Sequence, residues 1–236
     1  MFTDNGEASL SISPVARVIS PYREKFGAPR QAGLVRAASG FLQMLPGYDV
    51  AEAFEGLEGF SHLWVIFGFD QCKGQSKLRV RPPRLGGNRE VGVFASRAPF
   101  RPNNLGMSVL RFEGFAQGEP LRLAVSGLDL VDGTPVYDIK PYVPYADCIA
   151  EARGGFADAP PPAALAVSFD AALEPLLRER PGLRELIEQT LALDPRPAYR
   201  KGESEGRIYG VCLEDYDVRW RVEGEQARVI EIAPTR

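Results

Sequence analysis

Through the first 145 residues, apolar and polar positions alternate in short runs, and each run is stopped by glycine or proline. Leu10 to Ile19 reads as a first strand broken by Ser20-Pro21-Tyr22. Gly40 to Leu45 and Leu57 to Phe69 follow, and the second contains FSHLWVIFGF, too apolar and too short for anything but a buried strand. Leu78 to Arg81, Val91 to Phe94, Val109 to Phe112 and Leu121 to Leu130 extend the series, and VYDIKPYVPY from Val136 to Tyr145 is extended and punctuated by proline. Many short strands, tight turns and no persistent helix predict a mainly β unit, closed as a barrel or strongly curved.

The pattern changes at Asp147. GGFADAPPPAA, residues 154 to 164, reads as a linker or excursion, because three successive prolines fit neither a helix interior nor a central strand. Leu173, Leu176 and Leu177, then Leu183, Leu186, Ile187 and Leu191, recur at helical spacing and predict two short amphipathic helices split by Pro181-Gly182. Strands return at Arg207 to Leu213, Tyr216 to Val222 and Ala227 to Ala233. In YDVRWRV, Val218, Trp220 and Val222 share the face expected to pack. The chain is thus expected to divide into a β-barrel domain, residues 1 to 150, and an α+β extension, residues 151 to 236.

Charge adds what periodicity lacks. The 236 residues carry a formal net charge of −3, yet Arg79 to Arg111 holds seven arginines against the single acid Glu90, interleaved with glycine and proline. Each guanidinium needs an anion or water for five N–H donors, so this stretch is expected to dock something negative. Residues 145 to 195, by contrast, hold nine acids against four bases. Cys72, Cys148 and Cys212 are scattered with no CxxC spacing, and His62 is the one histidine, placed on an apolar strand. A metal site, a disulfide framework and a Ser-His-Asp triad are therefore not expected. With no signal-like N-terminus and no apolar run of membrane-spanning length, the expected setting is the cytoplasm.

Neither a phosphate-binding GxxxxGK[ST] loop nor a GxGxxG after a strand is present, which disfavours the usual nucleotide-binding α/β folds. The polar candidates lie on loops: Arg30-Gln31 in the long loop Tyr22 to Leu34, Asp70-Gln71 after a buried strand, Arg97, Arg101 and Asn103 in the arginine-rich segment, and Asp129, Asp132 and Asp138 in GLDLVDGTPVYD. Amides to read a base edge, a carboxylate for a ribose diol and arginines for an anion would suit an adenosine-bearing ligand. DPRPAYRKG, with Arg196, Tyr199, Arg200 and Lys201, joins basic residues to an aromatic, as an RNA contact would.

SPYREKFGAPRQAGL, LEGFSHLWVIFGF, RPPRLGGN followed by GVFASRAPFRPNNLGMS, GLDLVDGTPVYDIKPY and DPRPAYRKG together resemble the TrmO (TsaA-like) family over nearly the whole chain. The resemblance implies a small single-sheet β-barrel, a homodimer, and S-adenosylmethionine bound at or near the subunit interface. The implied reaction is methyl transfer to N6 of the threonylcarbamoyladenosine beside the tRNA anticodon. It places the cofactor at Gln31, Ala32, Gly33, Leu34, Asp70, Gln71, Arg97, Met107, Ser126, Gly127, Leu128 and Asp129. Asp129, Asp132 and Asp138 are the candidate proton acceptors, and Arg101, Asn103, Arg196, Tyr199, Arg200 and Lys201 the candidate RNA contacts. Asn104 stands where the family word has proline, which is expected to loosen its loop, and Asp70 stands where histidine is common. A non-catalytic RNA- or nucleotide-binding barrel is the alternative expectation.

Overall fold

A computed structural model describes residues 10–196 and 206–235. Six antiparallel strands close into a barrel in the order β1-β2-β7-β6-β3-β8. They are β1 (Ala16–Ile19), β2 (Ser39–Met44), β3 (His62–Gly68), β6 (Leu105–Ala116), β7 (Arg122–Ser126) and β8 (Pro135–Pro141). Two further strands, β4 (Arg79–Val80) and β5 (Val91–Gly92), pair as a small hairpin outside the barrel. The barrel interior follows the period-two pattern: Leu63 and Val65 on β3, Leu110 on β6 and Leu123 and Val125 on β7 are all buried.

Pairing register fixes which loops share an end. Ser39 faces Ser126, Ile19 faces Phe41, and Gly68 faces Leu105. The loops 20–38, 69–104 and 127–134 therefore all leave the barrel at one mouth. The connections 45–61 and 117–121 close the other.

After β8 come the single-turn helix α1 (Pro144–Asp147) and an exposed stretch, then β9 (Ala166–Phe169), α2 (Glu174–Glu179), α3 (Pro181–Ala192), β10 (Ile208–Leu213), β11 (Tyr216–Glu223) and β12 (Gln226–Pro234). The last three strands form an antiparallel meander, and β9 joins its edge parallel to β12. Leu183, Leu186, Ile187 and Leu191 of α3 are buried, as are Val218, Trp220 and Val222 of β11. The Trp220 ring stacks with Tyr209 at 5.6 Å and with Phe26 at 5.9 Å between centroids.

Phe26 belongs to the first long loop, so this contact ties the extension to the mouth where the three loops gather. Tyr22, fully buried, bridges to Leu213 and places its hydroxyl 3.3 Å from that of Thr190 on α3. Arg23 spans the same junction, with Nη1 donating to Asp132 at 3.0 Å and Nη2 to Asp215 at 2.8 Å. Gln189 of α3 accepts the Ala37 amide at 3.0 Å. The extension thus braces the segment that runs directly on from Gln31–Leu34.

Candidate active site

Asp129 lies where the three mouth loops meet. Ser108 sits on the inward face of β6, in the same parity as Leu110 and Phe112, and donates through its hydroxyl to Asp129 Oδ2 at 3.0 Å. Asp129 Oδ1 is covered and has no hydrogen-bond partner among the described atoms. Burial pushes this carboxyl up from 3.8 to about 6, against the hydrogen bond from Ser108, the backbone amides of Asp129 and Ala32, and the charge of Arg97, all of which favour the ionised form.

The loop carrying Ala32 is zipped to the Asp129 loop by the Gly33 amide, which donates to the Gly127 carbonyl at 2.9 Å. Gly127 adopts φ 74°, and a Cβ there would stand 3.2 Å from both Cα and N of Gly33. Glycine is required at 127 by this close approach and by the left-handed backbone. Arg97 reaches across from the third loop to hydrogen-bond the Gln31 side-chain oxygen. Gln31, Ala32, Gly33, Arg97, Gly127 and Asp129 are therefore assembled at one point.

The remaining expected cofactor residues take other positions. Leu128 is fully buried and packs inward, so it supports the cradle from below. Leu34 is half-buried beside the cradle, and Asp70 and Gln71 lie exposed on the turn after β3. Met107, 52% exposed, points to the opposite face of β6 from Ser108. Ser126 donates to Glu113 at 2.6 Å.

Of the three candidate proton acceptors, only Asp129 lies in this cluster. Asp132 accepts the Ser20 amide at 3.0 Å and the Arg23 guanidinium, so both of its oxygens hold the loop-to-extension junction. Asp138, half-exposed on β8, is paired with Lys140 at 3.0 Å. Adjacency in sequence grouped three aspartates that the fold gives three different jobs. Ser108 was not among the expected site residues, although its inward parity on β6 and its place in the NNLGMS word were both readable.

The arginine-rich segment stands at the same mouth. Arg101 Nη1 donates to the Ser96 carbonyl at 2.9 Å, which shapes the loop, while Asn103 is exposed. Asn104, expected to loosen this loop, instead fastens it. Its side-chain amide donates to Pro99 at 2.9 Å and Gln75 at 3.2 Å, and its φ of 47° is closed to proline. Arg196 departs from the expected RNA contact: it is only 5% exposed, and its Nε donates to Asp194 at 2.7 Å. Asp194, at φ 51°, turns the chain so that the two side chains fold together inside. Tyr199, Arg200 and Lys201 lie outside the described residues.

A depression of about 370 Å³ lies at the other mouth, between Phe54, Phe115 and Leu121 and rimmed by Glu52, Glu55 and Glu58. It carries none of the chemistry described above. Among the described residues no group of His, Cys, Asp and Glu side chains could hold a metal ion, and no helix is long and apolar enough to cross a membrane.

Comparison with known proteins fits this arrangement. Residues 17–148 match the tRNA-methyltransferase O N-terminal domain, and residues 162–235 match the TrmO C-terminal domain. The chain is 54% identical over 230 residues to a Pseudomonas aeruginosa protein named putative S-adenosylmethionine-dependent methyltransferase RcsF, covering 94% of this chain and 97% of that one. It is 46% identical to the Escherichia coli tRNA (adenine(37)-N6)-methyltransferase, over 96% and 99% of the two chains. The crystal structure of TrmO from Pseudomonas aeruginosa superposes with a TM-score of 0.79 at 46% identity, covering 96% of this chain and 99% of that one. The closed six-stranded barrel, the loops gathered at one mouth and the match along both halves lead to one assignment: this chain belongs to the tRNA-methyltransferase O family.

Proposed function

We propose that this protein is an S-adenosylmethionine-dependent methyltransferase acting on N6 of adenosine 37 of tRNA, in its threonylcarbamoyl form. The observation that carries the reading is the Asp129 carboxyl, held by Ser108 with one oxygen covered and unpartnered, beside the Gly33–Gly127 backbone cradle. An orphaned acceptor next to open glycine backbone suits a ligand with hydroxyl and amino donors, and the amide of Gln31 with the guanidinium of Arg97 suits its carboxylate and base edge. The cofactor, when bound, supplies an electrophilic methyl sulfonium, so no covalent attachment to the protein is needed.

What remains for the chain is positioning and one proton. Backbone at Ala32 to Leu34 and Ser126 to Asp129 would hold the donor, and the basic loops would hold the RNA so that N6 meets the methyl group at near-attack distance. Asp129 would take the N6 proton as the N–C bond forms and the methyl–sulfur bond breaks, leaving a neutral thioether. A carboxyl raised to about 6 is a stronger base than an ordinary aspartate and is still ionised at neutral pH. Arg101 keeps donors beyond those bonded to its own loop and would face the threonine carboxylate.

The working unit is proposed to be a cytoplasmic homodimer in which a second copy covers the exposed side of the cradle. The chemistry is proposed to reside in residues 1 to 150 and the bracing in residues 151 to 236. Labelled S-adenosylmethionine, incubated with tRNA from cells that contain or lack threonylcarbamoyladenosine and followed by nucleoside mass analysis, tests the reading. Label in N6-methyl-threonylcarbamoyladenosine with only the modified tRNA is expected. Saturable cofactor binding with no label in either tRNA would favour a binding barrel instead.

A further inference from the structure

Phe94 is the most conspicuous apolar side chain at the functional mouth, 77% exposed although the next residue toward the N-terminus, Val93, is buried. The turn that presents it is rigid: the Ser96 hydroxyl donates to the Val93 carbonyl at 2.8 Å, and Arg101 and Asn104 tie down the segment that follows. An exposed phenylalanine on a mobile tip would be unremarkable, but one held out by a fastened turn is displayed. Its ring lines a cleft of about 190 Å³ with Arg101, Pro102, Asn103 and Leu105. The side-chain amide of Asn103 makes no hydrogen bond among the described residues. A ring, a planar cation and a free amide are the three kinds of group that stack on an unpaired nucleobase, neutralise its backbone and read its edge.

The surroundings select the occupant. From Lys77 to Arg101 the segment carries seven basic residues and one acid, a field that draws in phosphate. Leu105 in the cleft and Ser108 at Asp129 are three residues apart on β6, so the two sites are separated by roughly 10 Å along the strand. A base in the cleft is therefore a neighbour of the adenosine that is methylated. Resting on the tRNA reading above, we infer that Phe94, with Asn103 and Arg101, forms a stacking subsite for a base flanking adenosine 37, and so sets the register of the anticodon loop over Asp129.

The test uses the full-length protein and an anticodon stem–loop RNA carrying threonylcarbamoyladenosine, with 2-aminopurine placed in turn on either side of it. Wild-type protein is expected to change the fluorescence of the probe on one side only. Phe94→Ala should abolish that change and raise KM for the RNA by about tenfold to a hundredfold, the loss expected of one base–aromatic stack. KM for S-adenosylmethionine should hold, and Phe94→Trp should restore RNA binding. Asn103→Ala should reduce discrimination among bases at the probed position. An unchanged KM for RNA in Phe94→Ala would overturn the inference. So would conversion of a dimer to monomers by that substitution at sedimentation equilibrium, which would assign Phe94 to a subunit contact. The fluorescence change needs no methyl transfer, so a wild-type protein that orders the probe yet transfers no methyl group would refute the proposed function and leave the subsite standing.

Discussion

Asp129 differs from the other loop aspartates only through what covers it, and two substitutions separate its roles. Asp129→Asn keeps an acceptor for the Ser108 hydroxyl but cannot take a proton, so methyl transfer should fall by about 10²- to 10⁴-fold. The same change should stabilise the fold. Its folded-state pKa, about 6, lies above the ordinary 3.8, so between those values the native chain holds a proton that the unfolded chain has already released. Stability contributed by the protonated form is present below about 4 and is lost as pH rises to about 6. Urea titrations at pH 4 and pH 7 should show Asp129→Asn more stable than the wild type chiefly at the higher pH, by about 3 kcal/mol. Ser108→Ala removes a hydrogen bond that favours the carboxylate, so the acid limb of its pH–rate profile should move upward. Nothing in GLDLVDGTPVYD distinguishes its aspartates by sequence. Asp132 is claimed by Ser20 and Arg23, more than 100 positions away, and Asp129 by Ser108, so only the closed barrel shows which of them is buried beside the cradle.

Among elements, the zip between the 31–34 and 126–129 segments is the contact that shapes the cradle. Gly127→Ala would place a Cβ at 3.2 Å from Gly33 backbone and force a left-handed φ on a residue that resists it. Calorimetric titration should show S-adenosylmethionine binding at least tenfold more weakly, while the buried barrel core keeps the protein folded in circular dichroism. Most strands were legible in advance from a local signal, period-two alternation or, for β3, an unbroken apolar run, and Val218, Trp220 and Val222 pack as their spacing predicts. β9 was missed. It is a short edge strand following a proline-rich stretch, and its pairing partner, β12, lies about 60 residues further on, so no local pattern marks it. The inward turn of Arg196 was hidden for the same reason: a basic residue in a proline-rich loop reads as solvent-facing until the buried Asp194 beside it is seen.

The whole molecule is electrically two-ended. The functional mouth bears the seven cations between Lys77 and Arg101, whereas the opposite mouth carries Asp49, Glu52, Glu55 and Glu58 with no basic residue from Tyr48 to Phe60. A mildly acidic protein can thus bind RNA at one end and repel it from the other. Arg89, which makes no ion pair among the described residues, should contribute to this attraction. Arg89→Ala should weaken tRNA binding and make the plot of log affinity against log salt shallower by about 0.7–0.9, while Glu55→Lys should leave both unchanged in a filter-binding assay. The extension gives this end its rigidity, because Phe26 on Trp220 and Ala37 on Gln189 anchor the loop that carries the cradle. The central claim is that a buried, Ser108-held carboxylate at this mouth takes the proton during methylation of tRNA. The most direct test is kcat/KM for methylation of a threonylcarbamoyladenosine stem–loop by wild type and Asp129→Asn between pH 5 and pH 8. The account predicts a wild-type rate that climbs about tenfold per pH unit below about 6 and then levels, above a variant that is slow and lacks that limb. Equal rates for the two proteins across the range would contradict it.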